Sequence, residues 1–122
     1  MDILTSYFAM VKNLPENTQP ISISRFSPKF FKGPCYTKLA PTSQILKLYK
    51  AGVIDDNAYI QMYYDQVLST LNAYTVVDEL LAIAGNKIPV LVCYESPDKF
   101  CHRHLLNEWF NEIVDVEEFV RS

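Results

Sequence analysis

The stretch from Cys93 to His104 concentrates groups that can do chemistry. Cys93 and Cys101 offer thiols, Glu95 a carboxylate, Arg103 a guanidinium, and His102 and His104 imidazoles. A thiol near the N-cap of a helix meets unpaired amides and the positive end of the helix dipole, which favour a thiolate. Cys101 fits that description and is the expected nucleophile; the plainer reading makes it a half-buried spacer. Glu95, just past an apolar run, could serve as general acid or base, or hold Arg25 or Arg103 in a bidentate pair. His102 would donate to a substrate or orient Glu95, unless it only faces solvent at the helix start. His104 is expected to point elsewhere. Cys93 ends a buried strand, where free cysteine usually packs as a small apolar side chain. A disulfide switch between Cys93 and Cys101 has little in the sequence to support it, and Cys35 reads as incidental.

Arg25 and Arg103 are the expected anion binders, because a guanidinium matches phosphate or carboxylate bidentately. Lys29 and Lys32 would extend the positive field. Tyr36, Phe30 and Phe31 could stack on a base or cap a pocket; otherwise they anchor a long loop. Ser6, Tyr7, Ser24 and Cys93 are the expected pocket lining. Cys93, Cys101, His102 and Glu95 are all competent zinc ligands. Their spacing matches no familiar zinc pattern, and neighbouring Cys101 and His102 would diverge on a helix, so no metal is expected. With only three glycines there is no Walker or dinucleotide fingerprint, and no cofactor is expected.

These groups need elements to bring them together. Ile3–Tyr7 reads as a short strand and Phe8–Leu14 as a helical turn stopped by Pro15. Pro20–Arg25 alternates with period two and reads as a second strand. Residues 26–41 form a long connection rich in Phe, Tyr and Lys, with no clean period; loops of that length are often functional. Three helices should follow: one capped by Thr42 or Ser43 and stopped by Gly52, one capped by Asp55, and one over Ala73–Ala84 stopped by Gly85. Pro89–Tyr94 is continuously apolar, as in a parallel strand covered on both faces. A Ser96–Pro97–Asp98 turn, a helix over His102–Asn111 and a short edge strand within Val114–Val120 complete the chain. Alternating strands and helices predict a small α/β sandwich, Rossmann-like and three-layered, with a mostly parallel sheet of three to four strands. If the strands are parallel, Ser6–Tyr7, Ser24–Arg25 and Cys93–Glu95 share one rim.

At these residues the chain resembles the family known as domain of unknown function 488. The carrying motif is an apolar strand ending in Cys93-Tyr94-Glu95, followed after a short turn by Cys101-His102-Arg103. A strand ending in Arg25, then Pro28, Phe30 and Phe31, is a second point of similarity, and Tyr36 and Leu39-Ala40-Pro41 add to it. The resemblance spans nearly the whole chain. It implies a Rossmann-like α/β fold and no established reaction.

A chain of 122 residues, 49% hydrophobic and 20% charged, fits a single globular domain over 1–122. No apolar run reaches the roughly 18 residues needed to span a bilayer. Position 2 is acidic and no basic n-region follows, so no secretory signal is expected. Three cysteines form no disulfide framework, which predicts reduced thiols in a cytoplasmic protein. The net charge of -3 hides an asymmetry: residues 17–54 carry six bases and no acid, whereas residues 55–122 carry twelve acids against four bases. The basic block predicts an anionic partner, or pairing with the acidic half. The first functional expectation is an enzyme acting on a phosphorylated or nucleotide-like anion. The alternatives are a non-catalytic nucleotide or nucleic-acid binding module, and a structural protein whose motif staples strand to helix.

Overall fold

The continuous apolar run is a strand buried on both faces, and the rest of the fold is arranged around it. In the computed structural model, which describes residues 2–95, 100–110 and 113–119, four strands form one sheet: β1 (Asp2–Tyr7), β2 (Thr18–Ser22), β3 (Ile88–Cys93) and β4 (Asp115–Glu118). Their order across the sheet is β2-β3-β1-β4 and every pairing is parallel. Leu91 and Cys93 of β3 face the main core, while Val90 and Val92 face a smaller cluster with Phe8 on the other side. Two covered faces are what a β-branched, uninterrupted strand requires.

The connections follow a single hand. From β1 to β2 the chain moves one way across the sheet, and the intervening 3-10 turn Phe8–Asn13 covers the Val90 and Val92 face. From β2 to β3, and from β3 to β4, it moves the other way, and those connections cover the opposite face. Opposite directions on opposite faces are the consequence of right-handed crossovers. Phe8, Val11, Leu14 and Phe31 form the thin layer on one side; three longer helices form the thick layer on the other. This is the Rossmann-like α/β sandwich expected, with a sheet that is wholly parallel.

The helices start where their capping residues stand. Thr42 Oγ1 accepts from Ile45 N at 3.2 Å and opens α1 (Ser43–Lys50). Asp55 Oδ1 accepts from Ala58 N at 2.9 Å and opens α2 (Asp56–Gln66). Asn72 Oδ1 caps α3 (Ala73–Ala84), which Gly85 ends at a φ of +68°. Each cap satisfies an amide that has no carbonyl partner within the helix. Tyr63 of α2 is completely buried, and its hydroxyl donates to the Leu39 carbonyl at 2.5 Å. That bond ties α2 to the segment leading into α1.

Two elements differ from expectation. The helix expected over His102–Asn111 is instead a 3-10 turn, His102–Leu105, followed by the short α4 (Leu106–Phe110). Cys101 ahead of it is fully extended, at φ -151° and ψ 148°. The second strand ends at Ser22 rather than Arg25, although Ile23 N still donates to the Val92 carbonyl. Beyond Ser22 the loop returns on itself: Ser22 N donates to the Pro34 carbonyl and Tyr36 N to the Ser22 carbonyl. The loop thereby pairs along the outer edge of β2. The turn expected at Ser96–Pro97–Asp98 lies outside the described residues, as do Asn111 and Val120. Among the described residues no single helix is long and apolar enough to cross a membrane.

Candidate functional site

Parallel strands put all their C-terminal ends on one edge of the sheet, and in open α/β folds ligands bind at that edge where neighbouring connections diverge. Here that point lies between β3 and β1, whose outgoing connections run in opposite directions across the sheet. A buried polar network ties the strand ends together there. Arg103 is 0% exposed. Its Nε and Nη2 donate to the two carboxylate oxygens of Glu118 at 3.1 and 2.9 Å. Its Nη1 donates to the Glu95 carbonyl at 2.6 Å and to Cys93 Sγ at 3.0 Å. Thr5 Oγ1 donates to Glu118 at 2.5 Å, and the Tyr7 ring lies 5.9 Å from the guanidinium carbon. One guanidinium therefore joins the ends of β3 and β4, with β1 attached through Thr5.

Burial pushes the Glu118 carboxyl up, but the hydrogen bonds from Arg103 and Thr5 and the Arg103 charge together hold it below the usual carboxylate range. The folded chain thus keeps Glu118 ionised to a lower pH than the unfolded chain does. Acid protonates the unfolded state first, so this stability is present above about pH 4.3, the unfolded value, and is lost as pH falls through the folded value. Urea unfolding at a series of acid pH values should give a flatter acid limb for Glu118→Gln than for the native chain. Equal acid limbs would show that Glu118 carries none of the acid sensitivity.

Beside this network opens a cleft of about 430 Å³. Ser24, Arg25 and Phe26 from the segment after β2 line it, as do Tyr49 and Lys50 of α1, Tyr59 of α2, and Phe100. Cys93, Cys101 and His102, all buried, also line it, with Tyr94 and Glu95 beside them. Tyr49, Tyr59 and Phe100 make a contiguous aromatic wall, with ring centroids 4.9 to 5.7 Å apart. Phe26 and Tyr94 are 71% and 51% exposed, so large apolar surface flanks the cleft where water has access. Arg25 donates through Nε and Nη2 to the Pro41 carbonyl, both at 3.2 Å. That fork fixes the guanidinium plane, and Nη1 makes no hydrogen bond among the described residues.

His102 stands at the meeting of α2, β2 and the last turn. Its Nε2 lies 2.8 Å from the Ile23 carbonyl, its Nδ1 lies 3.6 Å from Cys101 Sγ, and its ring packs on Tyr63 at 5.6 Å. A carbonyl can only accept, so Nε2 carries the proton and Nδ1 presents a lone pair to the sulfur. Burial pushes this imidazole down to about 4; the Ile23 bond opposes that, and the Arg103 charge adds to it. It is a neutral base in the interior, not a solvent-facing helix-start residue.

The expected site residues divide into groups. Arg25, Ser24, Cys93, Glu95, Cys101 and His102 meet at the cleft. Arg103 does not line it: every guanidinium nitrogen is engaged internally, which removes it as a binder of outside anions. Its carboxylate partner is Glu118, and Glu95 contributes a backbone carbonyl. Lys29 and Lys32 are exposed and lie away from the cleft. Ser6 and Tyr7 share the rim without lining the cleft. Strand alternation turns Ser6 toward the other face of the sheet, and Tyr7 lies against Arg103. Tyr36 is buried and donates its hydroxyl to Glu79, which also holds Lys38 at 3.1 Å. The three cysteines are not all free thiols: Cys93 and Cys101 are joined in a disulfide, and Cys35 is free. Cys101 has no α-helix dipole to favour a thiolate, because a short 3-10 turn follows it.

Sequence reasoning missed Glu118, Lys50 and the aromatic wall. Glu118 had a signal. Val114, Val116 and Glu118 alternate, which puts Glu118 on the inner face of β4, where an acid requires a cation. Lys50 and Tyr49 carried none, because their place at the cleft depends on how α1 docks.

The model of the family described as the Active DUF488-N3 subclade matches residues 12–114. No curated protein and no solved structure matches the chain.

Proposed function

The chain belongs to the domain of unknown function 488 family, and from that premise we propose that it is an enzyme acting on a small nucleotide-like anion bound in the strand-end cleft. The observation that carries this reading is the juxtaposition of unlike groups around one cavity. Arg25 and Lys50 supply positive charge, an aromatic wall supplies a surface for a planar ring, and Glu95 supplies an exposed carboxylate. Arg25 is the anion-binding residue because its plane is preset by Pro41 while Nη1 stays open. Glu95 is the acid–base residue: it is solvent-accessible, and its side chain makes no hydrogen bond among the described residues. Cys101 and His102 lie deeper, and the Cys101 sulfur is joined to Cys93, so Glu95 is favoured for proton transfer.

Binding is tested by calorimetric titration of the native chain with a panel of nucleoside mono- and diphosphates. Arg25→Gln removes the open charge-assisted donor and should weaken the best ligand by about 10- to 100-fold, the loss expected for one hydrogen bond to a charged group. Retained affinity in Arg25→Gln would remove that residue from the site. Binding of oligonucleotides alone, with a steep salt dependence, would favour a nucleic-acid module instead.

A further inference from the structure

The two thiols and the imidazole at the cleft have a use that neither Arg25 nor Glu95 shares. We propose that Cys93, Cys101 and His102, once the cysteines are reduced, form a site for a soft divalent metal ion of the zinc class, with one coordination position open to the cleft. Their donor atoms all lie within 4.8 Å of one another, and all three residues are buried. Cys101 Sγ and His102 Nδ1 are 3.6 Å apart. A tetrahedral zinc with ordinary Zn–S and Zn–N bonds sets its sulfur and nitrogen ligands about 3.6 Å apart. Adjacent residues converge in this way because Cys101 is extended rather than helical.

The surroundings also suit a metal. The Ile23 carbonyl holds the Nε2 proton of His102 and leaves Nδ1 as the ligand atom, the usual outer-sphere arrangement for a metal-bound imidazole. Arg103 Nη1 donates to Cys93 Sγ at 3.0 Å, which favours the thiolate that a metal needs. Two thiolates and an imidazole form a donor set that selects zinc over magnesium or calcium. Three protein ligands with an open fourth position are the pattern of catalytic rather than structural zinc.

The disulfide is the competing state of the same atoms. Its Cα atoms stand 7.3 Å apart, beyond the roughly 4.4–6.8 Å usual for disulfides, and a sulfur–metal–sulfur bridge is one atom longer. Loading requires reduction: a thiol or phosphine reductant supplies two electrons, the S–S bond breaks, and two protons give two thiols. As each sulfur–metal bond forms, one proton passes to water, while Nδ1 binds through its existing lone pair. The site is independent of the nucleotide reading, since Arg25 and Glu95 take no part in it.

The test is anaerobic titration of the phosphine-reduced full chain with Co²⁺. A single equivalent should give intense tetrahedral ligand-field bands and thiolate-to-cobalt charge transfer, both erased by Zn²⁺. Cys35→Ser should leave the spectrum unchanged. His102→Ala, checked for folding by circular dichroism, should weaken binding beyond the roughly 10–100-fold typical of losing an outer-sphere partner. Cys101→Ser should lose charge-transfer intensity in the same way. Absence of charge transfer in the reduced native chain would overturn the proposal. So would a band that vanishes in Cys35→Ser, or a thiol count showing the Cys93–Cys101 bond intact after reduction.

Discussion

Arg103→Ala is expected to lower the free energy of unfolding by about 3–5 kcal/mol, the usual result of removing one partner from a buried ion pair. The loss is large because the guanidinium has no solvent to replace it. Its removal leaves the Glu118 carboxylate with only Thr5, and leaves the Glu95 carbonyl and Cys93 sulfur without their donor. A domain has about 5–15 kcal/mol in total, so the variant should be marginal at room temperature. Arg103→Lys should also be strongly destabilised, since a single ammonium cannot reproduce a planar fork that reaches a carboxylate, a carbonyl and a sulfur. Chemical denaturation of the three proteins measures this directly. A loss under about 1 kcal/mol for Arg103→Ala, the level of an exposed surface pair, would mean that the network does not hold the strand ends together. The expected larger loss makes Arg103 a positioning residue: it keeps β3, β4 and the 102–105 turn in the arrangement that shapes the cleft.

Glu95→Gln should reduce turnover by about 10²- to 10⁴-fold, the contribution typical of a positioned general acid or base, while leaving the ligand's dissociation constant nearly unchanged. Gln keeps the shape and the capacity to accept a hydrogen bond but cannot exchange a proton near neutral pH. The structural cost should be slight, because the side chain is exposed and only the backbone carbonyl serves Arg103. The measurement follows consumption of the best-bound nucleotide by chromatography, with thermal denaturation of both proteins as a control. Undiminished turnover in a stable Glu95→Gln would exclude Glu95 from the chemistry. Tight binding without turnover in the native chain would favour the non-catalytic alternative.

Much of the frame was legible in the sequence. The unbroken apolar run of β3 required two covered faces, and that implied a parallel sheet with all strand ends on one edge. Thr42 or its neighbour Ser43 marked the start of α1, Asp55 that of α2, and Gly85 the end of α3, because unpaired amides and positive φ angles each select particular residues. The last helix was harder. Leu105, Leu106 and Trp109 have helical spacing, yet the segment begins as a 3-10 turn whose residues His102 and Arg103 are both buried. Helical periodicity locates an apolar face, but it does not show how two polar side chains will be enclosed.

The same limit separates the two arginines. By sequence alone Arg25 and Arg103 were equivalent anion binders. Their surroundings made them opposites: Pro41 fixes Arg25 and leaves a nitrogen open, whereas Glu118, Glu95 and Cys93 consume Arg103. Sequence by itself determined the parallel sheet, the starts of α1, α2 and α3 and the segment that carries the polar groups, because these depend on local pattern and on period. Only the tertiary structure decided which of those groups face a cavity and which close on one another. That choice rests on partners far apart in the chain, and a guanidinium's role is set by the carboxylate or solvent it meets after folding.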